Sequence, residues 1–277
     1  MKQTVVGIIL TIMLCGCHQL HEKEYNLVVT ETSDGRYLHF SLDDVQECMR
    51  NLSSTDYESI FTDPTLQILK TWHDRYGIVA SLYVQGDFTI NSKYAAELVA
   101  NSDWLKFGYH GDTPSPQKTG IEEFYKQVMD SIGSKYVIDL CPRIHCFHAD
   151  HGTIMKLKGF GCKGFLTCDD WEWNSDKRES NYYLTIKQNE LLDKNNRLWD
   201  TENHTHFIKS DFRLEHIAHR WGNIENLLNY YNNQPNQNKE MIVFGHEWNF
   251  MEFIEQADSI FAWAKKNNYE FDYPANR

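Results

Sequence analysis

Short apolar runs alternate with longer stretches of helical period along most of this chain. The runs "RYLHFSL", "GIVASLYV", "LKFGYH", "YVIDLCP", "KGFLTC", "RLWD" and "MIVFGHE" have the length and the β-branched or aromatic content of strands. Between them lie "DPTLQILKTWHDRYG", "SKYAAELVANSDW", "IEEFYKQVMDSIG" and "FIEQADSIFAWAKKN", in which apolar positions recur every three or four residues. Asp63 followed by Pro64 marks a helix start, a side-chain acceptor and then proline at the first helical position. Strand and helix in alternation predict parallel βα units. Seven such units in 277 residues predict a closed or nearly closed barrel, with a doubly wound open sheet as the alternative. No repeat, low-complexity tract or change of composition divides the chain, so one α/β domain is expected over residues 37–277.

The N-terminus follows another pattern. Lys2 precedes the apolar run "VVGIILTIML", which is too short to span a bilayer and reads as an export signal. The next residues, Leu14, Gly16 and Cys17 in "LCGC", resemble the lipobox of bacterial lipoproteins. That resemblance implies a signal peptide over residues 1–16, lipidation of Cys17, and a membrane-anchored protein of the bacterial cell envelope. An ordinary signal peptide is the alternative. Residues 17–36 are mostly polar and read as a tether followed by an entry strand.

Charge narrows the partners. Lys and Arg total 27 against 39 Asp and Glu, a formal −12, which argues against nucleic acid and for a neutral or cationic ligand. Aromatics make up 14%, including eight Trp, and serve either a Trp-rich core or stacking on sugar faces. Of the seven cysteines, Cys141 and Cys146 are separated by four residues and Cys162 and Cys168 by five, so neither pair has the spacing of a compact zinc site. Those beyond the lipobox read as small buried hydrophobes or one optional disulfide.

In βα barrels functional side chains gather where strands end. Here "HFSL" ends in Asp43 and Asp44, "LKFGY" in His110, "VIDLCP" runs into Arg143, "GFLTC" ends in Asp169 and Asp170, and "MIVFG" in His246 and Glu247. An Asp pair and a strand-end His can divide labour. One carboxylate and the imidazole hold a divalent metal while the other carboxylate serves as base, and the metal offsets the repulsion between the two acids. The plainer reading makes "DDVQECMRNL" a helix whose positive N-terminus attracts the carboxylates. The segment "TENHTHFIKSDFRLEHIAHRWGN" reads as polar surface leading into a helix, with substrate binding near the rim as the alternative. No GxSxG elbow, phosphate-binding Gly-rich loop or HExxH is present.

In order and spacing these motifs resemble the polysaccharide deacetylase (NodB-homology) superfamily of carbohydrate esterases over residues 37–271. The resemblance implies an irregular (β/α)7 barrel, a carbohydrate substrate and a divalent metal cofactor, zinc first. Through "SLDD" it implies Asp43 as general base and Asp44 as metal ligand. Through "FGYHGDTP" it implies His110 as metal ligand, through "CPRIHCF" Arg143 as the group orienting the base, and through "IVFGHEW" His246 as the acid. Through "CDDWEW" it implies Asp170 and Trp171 as substrate-binding residues, with Asp169 or Trp173 as near alternatives. The second motif departs from the family: Pro114 stands where a second metal-binding histidine is usual. Asp112, Thr113, His145, His148 and His151 are the candidates for the vacant role. The expected function is metal-dependent removal of N- or O-acetyl groups from a carbohydrate. An inactive, glycan-binding lipoprotein on the same scaffold is the alternative, and a two-carboxylate glycosidase using Asp43 and Asp170 fits less well.

Overall fold

The computed structural model describes residues 25–30, 35–111, 118–169, 181–233 and 239–277. Its strands are β1 (Leu27–Val29), β2 (Tyr37–Val45), β3 (Ala80–Val84), β4 (Leu105–Tyr109), β5 (Gly164–Leu166), β6 (Arg197–Asp200), β7 (Thr205–Ile208), β8 (Phe212–Arg213), β9 (Glu240–His246) and β10 (Glu270–Phe271). Its helices are α1 (Glu47–Ser54), α2 (Pro64–Tyr76), α3 (Ala95–Ala100), α4 (Lys118–Ile132), α5 (His151–Gly159), α6 (Ile186–Asn195), α7 (Ile217–Trp221), α8 (Ile224–Asn232) and α9 (Ile254–Lys266). β1 lies within the segment 17–36.

Strands β4, β3, β2, β9 and β8 pair side by side and in parallel. The next stave beyond β4 is the segment 138–142. It touches β4 through one parallel bridge, Phe107 to Ile138, and touches β5 through Lys163 N–H to Leu140 O and Leu166 N–H to Pro142 O. It is not a regular strand, since Pro142 has no N–H to give a ladder. β5 pairs with β7, and the run 205–213 then carries the chain from β5 to β9, where β8 pairs. The ring is therefore closed, and the architecture is the expected irregular (β/α) barrel with seven staves among the described residues.

The sixth stave differs from the expectation. "RLWD" forms β6, which pairs antiparallel with both β1 and β7 and so lies outside the parallel ring. The stave itself is "THFIKSDFR", inside the segment expected to be surface. Its two short halves are interrupted by Lys209, Ser210 and Asp211, so its apolar content falls below that of an ordinary strand.

The two faces of β2 show why the barrel forms. Leu38, Phe40 and Leu42 point outward into the helical layer, where Phe40 meets Trp72 of α2 and Phe261 of α9 edge to face at 6.1 and 5.2 Å. Each such buried ring contributes on the order of 2 kcal/mol. Helix α2 begins as expected: the Asp63 carboxylate accepts from Thr65 and Leu66 N–H at 3.0 and 3.2 Å, and Gly77 at φ 80° closes the helix. The alternate positions of β2, Tyr37, His39, Ser41 and Asp43, point inward and are all polar and buried. They meet a ladder of partners: Tyr37 with Glu240 and Arg197, Ser41 with Arg143, and, between these layers, Ser81 and Tyr83 with Asp139. The barrel interior is thus a polar column rising to the rim where β2 and β9 end.

Asp211 sews the seam between the two halves of the sixth stave. Its N–H donates to Ile242 O and its carboxylate accepts from Ile242 N–H, both at 2.8 Å. Burial pushes this carboxyl up to about 7, against the opposing pull of the Ile242 N–H and of Lys209. A folded-state value above the unfolded one means that the native protein holds the proton more firmly, so this contribution is present at pH 4 and lost as pH rises through about 7. Asp211→Asn keeps an acceptor for Ile242 N–H and removes the titration. Urea denaturation from pH 4 to 8 should show the variant gaining on the wild type as pH rises, by a total on the order of 4 kcal/mol.

Candidate active site

The rim begins with the aspartate pair. In β2 the register against β3 moves from Leu42–Leu82 to Val45–Val84, so one extra residue is accommodated at Asp43–Asp44. Asp44 takes φ 55°, a left-handed conformation that Asp tolerates better than most residues. In a regular strand neighbouring side chains diverge. Here the bulge brings both carboxylates to the same rim. They do not cap the following helix: the N–H groups of Gln46, Glu47 and Cys48 at the start of α1 donate to the Glu247 carboxylate at 2.7, 2.6 and 2.8 Å. With the N-terminus of α1 already satisfied from β9, the aspartates are left for other work.

Asp43 is buried and paired with Arg143 at 2.8 Å. The Arg143 guanidinium has no exposed surface. It donates to Asp43 and Ser41 through Nη1 and to Ser210 through Nη2, at 2.8, 2.8 and 2.9 Å, and lies 3.8 Å over the Phe244 ring. Arg143 thus fixes the direction of the Asp43 carboxylate. Across the β2–β9 pairing, Asp43 stands in register with His246.

His246 holds Glu215 on two sides. Its backbone N–H donates to Oε1 at 2.7 Å, and Nδ1 lies 3.0 Å from the same oxygen. Burial disfavours the imidazolium, but the Glu215 contact and the charges of Asp43 and Asp44 outweigh burial and raise His246 above its usual value. Trp248 follows, 69% exposed, with its Nε1–H 3.3 Å from Asp44 Oδ2 and its ring 5.5 Å from that of His246.

Asp44, His110 and His145 converge, each offering one ligand atom within 4.8 Å of the others. His110 Nδ1 bonds the Arg143 carbonyl, which can only accept, so the proton sits on Nδ1 and the lone pair on Nε2. That Nε2 lies 3.2 Å from Asp44 Oδ1. A lone pair facing a carboxylate oxygen is unfavourable unless a cation lies between them, and that cation is either a metal ion or a second ring proton, which pairs with the carboxylate. Burial would raise Asp44, but His110, with His246 and His145 beyond it, draws the carboxyl down to about 2. His145 packs flat on His110 at 5.2 Å between centroids, with the Cys146 thiol beside it. The backbones are tied as well, His145 N–H donating to His110 O at 2.8 Å, and Cys146 and Phe147 adopt φ 58° and 55° to make the turn. One carboxylate and two imidazoles are a donor set that fits a first-row divalent metal.

Several expected residues lie elsewhere. His148 is exposed and outside the cluster, and His151 bonds Asn203 at 2.8 Å and stacks on Tyr25. Asp112, Thr113, Pro114, Asp170, Trp171 and Trp173, with Cys17, fall outside the described residues. Asp169 is on the rim. Its carboxylate is gripped by Arg213 through Nε and Nη2 at 3.1 and 2.9 Å and faces His216 at 3.4 Å; against burial, these contacts hold it well below the usual carboxylate range. Arg213 lies 5.2 Å over the Phe244 ring that Arg143 also covers. Arg213, Glu215 and His216 therefore belong to the site and not to the surface expected for that segment, because β8 turns them inward at the barrel mouth. A hydrophobic pair bracketing Arg213, Phe212 and Leu214, was the sequence signal.

No protein-family model matches the chain, and no curated protein does. Solved structures do. The Xyl-CE4 domain of a multidomain xylanase from the hindgut metagenome of Trinervitermes trinervoides aligns at TM-score 0.44 and 11% identity, over 88% of this chain and 89% of that one. A polysaccharide deacetylase from Bacillus cereus aligns at 0.39 and 10%, over 86% and 91%. The catalytic domain of a peptidoglycan N-acetylglucosamine deacetylase from Eubacterium rectale aligns at 0.36 and 13%, over 88% and 90%.

The buried guanidinium sets the strength of this arrangement. Arg143→Leu leaves Asp43 as a buried charge without its partner, and should lower the unfolding free energy by about 3–5 kcal/mol in urea titrations at neutral pH.

Proposed function

We propose that the protein is a metal-dependent hydrolase that removes acyl groups, acetyl first, from a carbohydrate. The observation that carries this reading is the meeting, on one rim, of an oriented carboxylate, a raised imidazole in register with it, and the three-donor cluster of Asp44, His110 and His145. A divalent cation held by those donors supplies Lewis acidity toward an acyl carbonyl oxygen. Asp43, aimed by Arg143, takes the proton from an attacking water. His246, its proton affinity raised by the Glu215 contact, gives a proton to the departing amine or alcohol. Arg213, itself near the Phe244 ring, keeps Asp169 ionised and fixed.

The carbohydrate class rests on two supports. One is the order of motifs, and the other is the exposed indole of Trp248 beside Asp44, a flat apolar platform of the kind that sugar rings stack upon. Loss of the second-motif histidine at Pro114 does not leave the donor set short, because His145 stands in the cluster. This favours catalysis over glycan binding alone. Export and attachment to the envelope membrane through Cys17 are proposed from the "LCGC" pattern alone.

The test uses the purified protein, stripped with a chelator and reloaded with zinc or cobalt, and follows acetate release from acetylated chito- and xylo-oligosaccharides. Acetate release should require the metal. Asp43→Asn should keep the bound metal and lose about 10²–10⁴-fold in kcat, whereas Asp44→Ala should lose the metal itself. A wild-type rate in Asp43→Asn, or binding of these glycans with no metal-dependent acetate release, overturns the proposal; the second result leaves a glycan-binding protein.

A further inference from the structure

We propose that Gln85 is a positioning residue for His145, its carboxamide holding Nδ1 so that Nε2 is the nitrogen presented to the metal; this rests on the metal-site reading above. Gln85 follows β3, its N–H donating to Val45 O at 3.2 Å and Gly86 turning the chain after it at φ 85°. Its side chain reaches His145, with Nε2 3.0 Å from Nδ1. Its oxygen accepts from the side-chain amide of Gln46, and Gln46 is itself anchored by its backbone N–H on Glu247. A chain of two amides therefore runs from the capped start of α1 to the third donor of the cluster.

The chemistry asks for such a partner. A neutral imidazole carries one N–H and one lone pair, and a nitrogen that binds a cation must be the one with the lone pair. His110 is fixed in that form by a carbonyl oxygen that can only accept. His145 has no carbonyl at Nδ1 but a carboxamide, which accepts at one end and donates at the other. With the amide nitrogen toward Nδ1, the ring proton sits on Nε2 and the donor is blocked. Rotation of the Gln85 amide by half a turn places its oxygen against Nδ1–H and its NH2 against Gln46, whose exposed amide turns with it. The two ends of a carboxamide have the same shape, so the exchange needs no backbone movement. His110 thus has a fixed tautomer, whereas His145 has one that Gln85 sets as the metal enters.

The test is the zinc dissociation constant, measured by competition with a chromogenic chelator for wild type, His145→Ala, Gln85→Leu and Gln85→Glu. Imidazole nitrogen spectra of the zinc-loaded wild type and both Gln85 variants accompany it. Gln85→Leu keeps the size and removes the hydrogen bond, and should bind zinc about 10–100-fold more weakly. Gln85→Glu can only accept, and should bind at least as tightly as wild type, with Nδ1–H in the His145 spectrum. If Gln85→Leu binds as wild type while His145→Ala does not, Gln85 has no such role. Equal losses in Gln85→Leu and Gln85→Glu also overturn it, since a residue that merely fills space would be insensitive to hydrogen-bond chemistry. Failure of the underlying reading looks different: zinc binds neither wild type nor variants, or binds His145→Ala undiminished.

Discussion

A guanidinium sealed inside the barrel is the constraint on which the rest of this site depends. The burial of Arg143 is tolerable only with its charge paired and most of its N–H groups matched to acceptors. Asp43 supplies the charge, Ser41 and Ser210 accept beside it, Phe244 supplies a π-face, and Nε is left without a hydrogen bond among the described residues. These partners come from β2, from the joint of the sixth stave and from β9, so the ion pair is a joint of the barrel as well as the device that orients Asp43. A less buried arginine would orient Asp43 loosely, and a buried one without Asp43 would weaken the fold.

The segment that carries Arg143 also builds the donor cluster. The Arg143 carbonyl sets the proton on His110, and two residues on, His145 donates its N–H to His110 O and adds its own ring. One stretch of three residues thus orients Asp43, bonds Nδ1 of His110 and adds a second ring to the cluster. Glu247, just past the end of β9, has a matching economy: it caps α1, which frees Asp43 and Asp44 from the helix terminus, while its neighbour His246 faces Asp43. The raised carboxyl of Glu247 follows from burial, which its three N–H contacts only partly offset.

The regular staves were legible because their outer faces must be apolar to meet the helices. Phe40 against Trp72 and Phe261 is the consequence of that pattern. The sixth stave was not, because half its length joins two pairings and holds Lys209, Ser210 and Asp211, while β6 nearby has the more strand-like sequence yet pairs antiparallel outside the ring. Among site residues, those at strand ends, Asp43, Asp44, His110, Arg143 and His246, were readable from position alone. Glu215 and Arg213 were hidden among charged residues that ordinarily face water. His145 could be named only as one of several donors, since spacing in an irregular turn with φ 58° at Cys146 does not reveal direction.

The irregular turn at Cys146 is what brings a second imidazole to His110. His145 reaches it from the adjacent stave, and the backbone bond from His145 N–H to His110 O fixes that approach before any side chain is considered. Parallel packing of neighbouring strand ends therefore does what helical or loop spacing does elsewhere. The requirement then shifts from the sequence separation of two histidines to the tautomer of one, and on this side the ring meets a carboxamide in place of a carbonyl. Under the proposed role of Gln85, control of that tautomer lies with its carboxamide.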